Sequence, residues 1–191
     1  GKALDIAQSS AVEGFNINIK GTSNYEDTRD SDVIIITAGV PRKPGMSRDD
    51  LLAINLKIIK QVSDGIKTTS PKAFVICITN PLDVIVSALQ KYTNFKHNKV
   101  VGMAGILDTS RFIFFLSEHL GVETSKIKSF VLGGHGDSMV AMLNHTYIDG
   151  ISISELVKNG KLKKDKLDSI VDRTKNGGAE IVKFLEKGSA F

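Results

Sequence analysis

Apolar positions along the chain change period several times, and each change marks an element. Ala3, Leu4, Ile6 and Ala7 recur at helical spacing, so the chain opens inside a helix. Asn16 to Lys20 alternates polar and apolar residues, as a half-exposed strand does. Val33-Ile34-Ile35-Ile36, and later Ala73-Phe74-Val75-Ile76-Cys77-Ile78, are apolar on both faces, the pattern of parallel strands covered by helices on each side. Between them, Ser47 with Asp50 forms a helix-start signature, and the helix runs through Leu51, Leu52, Ile54, Ile58, Ile59 and Val62. Asn80 reads as an N-cap with Pro81 at the first helical position. That helix reaches about Lys91, and a short strand follows near Lys99–Gly102. Asp108–Leu120 is predicted helical and closed by Gly121. After Phe130-Val131-Leu132 the cluster Gly133-Gly134-His135-Gly136 interrupts a strand pattern. A strand over Met139–Ile148, a turn at Asp149-Gly150 and a long helix from about Lys164 to Leu185 complete the pattern.

Strand–helix alternation in the first half predicts an α/β fold with a doubly wound parallel sheet. The longer strand stretch of the second half predicts part of an α+β substrate domain, with the division between residues 1–104 and 105–191. The 191 residues are 41% hydrophobic and 24% charged, which excludes collagen, coiled coil and disorder. The apolar runs fall well short of the roughly 20 residues of a membrane span. A single cysteine, Cys77, with apolar neighbours, points to a buried thiol in a reducing, cytoplasmic compartment. The charge surplus of +4 is unclustered, which favours anionic small molecules over nucleic acid.

Ligands of open α/β sheets bind beyond the carboxyl ends of the strands. Two strand ends here, Thr37-Ala38-Gly39 and Thr79-Asn80-Pro81, are polar or glycine-bearing, so cofactor contact competes evenly with a simple loop and helix cap. The loop Pro41–Arg48 frames three cations with two prolines and a glycine. It reads either as a lid or as a solvated basic loop. Among the four histidines, His135 is the candidate base, because flanking glycines leave its imidazole uncrowded. Asp108 or Asp137 could fix its tautomer. Asp108 and Arg111, three apart on a helix, share a face; a surface salt bridge is the commoner reading of such a pair. No further His or Cys clusters with ligand spacing, so no metal site is expected. Neither G-x-G-x-x-G nor G-x-x-x-x-G-K-[ST] occurs.

Four co-linear stretches carry a resemblance that covers the whole chain. They are Thr37–Leu52, Thr79-Asn80-Pro81-Leu82-Asp83, Val101–Phe112 and Leu132-Gly133-Gly134-His135-Gly136-Asp137. Together they resemble the lactate/malate dehydrogenase family, on its bacterial, malate-specific side. The resemblance implies a Rossmann-type sheet, an NAD-dependent oxidoreductase of the tricarboxylic acid cycle, and a homodimer or homotetramer. It implies reversible oxidation of (S)-malate to oxaloacetate, with His135 as the base and Asp108 holding its ring. Arg111 would clamp the C1 carboxylate, Arg48 would polarise the carbonyl, and Asn80 would touch substrate and cofactor. Arg42 stands where lactate-preferring members carry a neutral residue, so its charge implies a second carboxylate. Thr37, Ala38, Gly39, Asn55, Ile78, Thr79 and Asn80 would contact NAD.

The same resemblance implies that the family's first strand, its glycine-rich turn and the acidic residue after the second strand would precede Gly1. The last strands and the final helix would follow Phe191. A partial sheet lacking its first strands is therefore expected, with Asn16–Lys20 cut off from the strand at Asp32–Thr37 and an apolar edge left open. A lactate-type 2-hydroxy acid dehydrogenase, or a catalytically silent fragment of such an enzyme, are the alternative readings.

Overall fold

The computed structural model describes residues 1–41 and 47–185, Arg48 by its backbone alone. Helix α1 spans Lys2–Glu13, and strand β1 follows at Val33–Ile36. Helix α2 covers Arg48–Thr69, β2 Phe74–Cys77, α3 Leu82–Thr93 and β3 Val100–Gly102. The three strands form one parallel sheet in the order β1-β2-β3. Val33 pairs with Phe74 and Ile36 with Cys77, while Val75 pairs with Val100 and Cys77 with Gly102. Parallel pairing forces each connection to cross over the sheet, and α2 and α3 supply the crossovers. Ile36, Val75, Cys77 and Val100 pack with Ile59, Ile66, Ile85 and Leu89 into one core.

The expected strand at Asn16–Lys20 is not formed; the segment is irregular. An alternating sequence becomes a strand only by pairing, and none of the described strands pairs with it. The expectation of helices on both faces of β1 is likewise corrected. Val33 and Ile35 remain 55% and 60% exposed, and α1 buries none of its residues.

Helix α2 starts as its sequence predicts. The Ser47 hydroxyl accepts from the Asp50 N–H (3.0 Å) and Asp50 Oδ2 accepts from the Ser47 N–H (3.1 Å), a reciprocal capping box. Helix α3 starts one residue later than expected, with Pro81 rather than Asn80 at the cap, after a cis Asn80–Pro81 bond. The Asn80 carbonyl accepts from Asn55 Nδ2 instead (2.9 Å), which ties this turn to α2.

Helix α4, Gly105–Leu120, begins three residues ahead of expectation and ends as predicted at Gly121, in the left-handed region at φ 66°. Strands β4 (Ile127–Lys128), β5 (Val131–Gly133), β6 (Met139–Ala141), β7 (Tyr147–Ile148) and β8 (Ile151–Ser152) come next. All their pairings are antiparallel: β4-β7-β8 in one sheet and a β5-β6 hairpin. The single strand expected over Met139–Ile148 is thus broken. A 3₁₀ turn at Leu143–His145 interrupts it, where the Thr146 and His145 N–H groups bond back to Leu143 and Met142. A short helix α5, Ile153–Lys158, has no counterpart in the sequence reading, and α6 spans Lys164–Leu185 as expected. A second core joins Phe112, Leu116, Val131, Met139, Ile153, Leu162 and Leu167. No helix among the described residues is long and apolar enough to cross a membrane.

Candidate active site

The end of β3 and the starts of α3 and α4 face the β5–β6 hairpin across one cleft. Asp108 sits in the first turn of α4 and is only 2% exposed. Its Oδ2 lies 2.9 Å from His135 Nδ1, and its Oδ1 accepts from the Arg111 guanidinium at 3.3 Å. A carboxylate taken this far out of water is costly unless charge-assisted partners surround it, and here two do. Because an ionised carboxylate only accepts, the Nδ1 of a neutral His135 carries the hydrogen, and Nε2 is left as the atom that can take a proton. Of the two carboxylates the sequence offered to His135, the structure brings Asp108 rather than Asp137; Asp137 is exposed.

The hairpin that carries His135 is tight enough to require its glycines. At Gly133, φ is 91° and a Cβ would stand 2.7 Å from the Ser138 carbonyl oxygen, so no L side chain fits. Arg111 is three residues beyond Asp108 on the same face, as its spacing predicted, but it is no surface pair: its side chain is 12% exposed. Its Nε is buried with no hydrogen-bond partner among the described residues. An orphaned guanidinium N–H is costly, and this one lies against Gly177 of α6. Gly177 of α6 makes room for the stem, since a Cβ there would meet Arg111 Cδ at 3.0 Å. The sequence reading did not single out Gly177; two adjacent glycines inside a long helix were the available signal.

Beside the cluster lies a cleft of about 310 Å³, lined by Leu82, Asp83, Val86, Gly102, Gly105 and His135 among others. The ends of β1 and β2 are cross-braced. Thr79 Oγ1 donates to the Ala38 carbonyl at 2.8 Å. Asn55, buried in α2, accepts from the Val40 N–H (2.9 Å) and donates to the Val40 and Asn80 carbonyls. Its polar atoms are thereby engaged by backbone, so in this geometry it positions the strand ends. A Cβ at Gly39 would come within 2.6 Å of Thr79 Cγ2, which keeps the backbone bare there. Thr37, Gly39 and Asn80 are exposed, and Ala38 and Ile78 are half-buried. Arg42 lies outside the described residues, and the side chain of Arg48 does as well. Among the described residues no group of three or more His, Cys, Asp or Glu side chains could hold a metal ion.

Parallel strands with helical crossovers and a cleft between them and a second, antiparallel-stranded half define a two-part α/β protein of the doubly wound class. The chain belongs to the lactate/malate dehydrogenase family. Residues 1–102 match its NAD binding domain and residues 106–191 its alpha/beta C-terminal domain. The chain is 65% identical to a malate dehydrogenase of Pelagibacter ubique, over its whole length and 60% of that relative. Its fold superposes on malate dehydrogenase from Plasmodium falciparum with a TM-score of 0.92 at 45% identity, covering 100% of this chain and 60% of that one. Lactate dehydrogenase from Cryptosporidium parvum, complexed with lactic acid and β-nicotinamide adenine dinucleotide, superposes with a TM-score of 0.93 at 44% identity, again over 100% and 60%. The chain therefore spans about 60% of the length of the relatives it matches.

Proposed function

We propose that this chain carries the catalytic centre of an NAD-dependent malate dehydrogenase, which interconverts (S)-malate and oxaloacetate. The observation that carries the reading is the buried carboxylate of Asp108, bonded on one side to Arg111 and on the other to His135, which lines the cleft.

The bare backbone at Gly39 and the small residues Gly102, Ala104, Gly105 and Gly133 along the cleft suit a flat ring, so the residues fit the nicotinamide of NAD. When bound, that ring supplies the acceptor for the hydride leaving C2 of malate. His135 Nε2 takes the hydroxyl proton in that direction and returns it in the other. Asp108 holds the opposite ring nitrogen and stabilises the imidazolium that forms. Arg111 clamps the C1 carboxylate, where a planar fork suits two oxygens. Arg48 polarises the carbonyl, and Arg42 receives the second carboxylate. Asn80 faces substrate and cofactor, and Thr37, Ala38, Gly39, Ile78 and Thr79 line the NAD side, with Asn55 bracing them.

Malate rather than lactate is favoured by Arg42, and by the 65% identity to a malate dehydrogenase. The two separate cores and the start of α4 at Gly105 support a boundary between residues 104 and 105. A cytoplasmic homodimer or homotetramer completes the reading. The test is NADH oxidation by the full-length protein with oxaloacetate and, separately, with pyruvate. Strong preference for oxaloacetate is expected. Preference for pyruvate would move the reading to the lactate type, and failure to saturate with NADH would leave a silent relative.

A further inference from the structure

Asp83 is exposed in the first turn of α3, where a carboxylate is ordinarily explained by the helix dipole alone. Its side chain does something more specific. Asp83 Oδ2 accepts the backbone N–H of His135 at 3.1 Å, across 52 residues of sequence and between the two halves of the molecule. The contact is close-fitting, since a Cβ on the neighbouring Gly134 would stand 3.2 Å from the same oxygen and 2.5 Å from Ser138 Oγ. Asp83 and His135 also line the same cleft.

We propose that Asp83 is a positioning residue, which docks the His135 loop onto α3 so that the imidazole is held at two points. Asp108 fixes the ring through Nδ1, and Asp83 fixes the main chain that carries it. One anchor at the ring leaves the loop free to slide relative to the cleft wall built by α3; the second removes that freedom. The two anchors come from different halves, α4 and α3. The hydrogen bond of Asp83 therefore sets where the base stands relative to the strand ends on which the cofactor is proposed to lie. This inference rests on the reading of His135 as the base.

The test compares Asp83→Ala and Asp83→Asn in the full-length enzyme. Asparagine keeps an acceptor oxygen and loses the charge, whereas alanine loses both. With Asp83→Ala, kcat is expected to fall about ten- to a hundredfold, the scale of a small misplacement of a reacting group. KM for oxaloacetate and NADH affinity should stay close to wild type. The kinetic isotope effect with deuterated NADH should rise as the chemical step becomes slower, and Asp83→Asn should restore most of kcat. Near-wild-type kcat in Asp83→Ala would overturn the proposal, as would equal loss in both variants, which would make the charge the cause. Amide hydrogen exchange at His135 reads the anchor without turnover. It should quicken in Asp83→Ala, and unchanged exchange would overturn the inference. A wild-type enzyme that leaves oxaloacetate unreduced instead refutes the proposed function, and the exchange measurement still decides whether the anchor exists.

Discussion

At the scale of single residues, the site turns on how few groups satisfy one another. One buried carboxylate serves an imidazole and a guanidinium, and the guanidinium keeps one buried N–H without a partner among the described residues. Replacing His135 by alanine should abolish turnover while NADH still binds, read by stopped-flow oxidation beside a fluorescence titration. Near-normal turnover would remove His135 as the base. Arg42→Gln should weaken oxaloacetate turnover by about 2–4 kcal/mol, the scale of losing a charge-assisted pair. An unchanged ratio of oxaloacetate to pyruvate rates would refute the role given to that cation. His135 was legible in the sequence because glycines flank it. The residue pattern left its partner open between Asp137, two residues away, and Asp108, twenty-seven away; the family resemblance implied Asp108, and that is the carboxylate the fold delivers.

At the scale of elements, α6 shows how the second half is tied together. Arg173 donates to Glu180 on its own helix and to Glu118 on α4, with its guanidinium 4.1 Å from the Phe115 ring centre. The hydrogen bonds from Arg173 hold the Glu180 carboxyl below its ordinary value. A depressed carboxylate pKa contributes stability that is present above the unfolded value and lost as pH falls through the folded one. The melting temperature should therefore decline on acidification below the ordinary glutamate range, and Glu180→Gln should flatten that part of the decline. Salt should weaken the effect, since these side chains are solvent-accessible. The long helices, the capping box of α2 and the glycine stop of α4 were legible because their signals are local. The 3₁₀ break at Leu143–His145 and the short α5 were not, since packing decides whether so short a segment coils or extends.

At the scale of the whole molecule, one face of the parallel sheet stands open. Val33 and Ile35 on β1, with Leu4, Ile6 and Ile17, leave apolar side chains at least half exposed among the described residues. Exposed strands and patches of this kind favour association. The 191-residue chain by itself should self-associate in sedimentation velocity, and Ile35→Lys should reduce that association. A monodisperse monomer would show that the face is innocuous.

Periodicity alone determined that this protein alternates apolar strands with helices, because a strand or helix buries a face that its own residues must encode. Motif spacing marked the two strand ends, His135 and the Asp108–Arg111 pair. Tertiary structure brought Asp108, the carboxylate the resemblance implied, to the histidine, withdrew the Asp108–Arg111 pair from solvent, and carried Asp83 across to the His135 main chain. It also decided that Asn16–Lys20, patterned as a strand, forms none. Each of these depends on a partner far along the chain, and a local pattern fixes which face a residue presents without fixing what it will face.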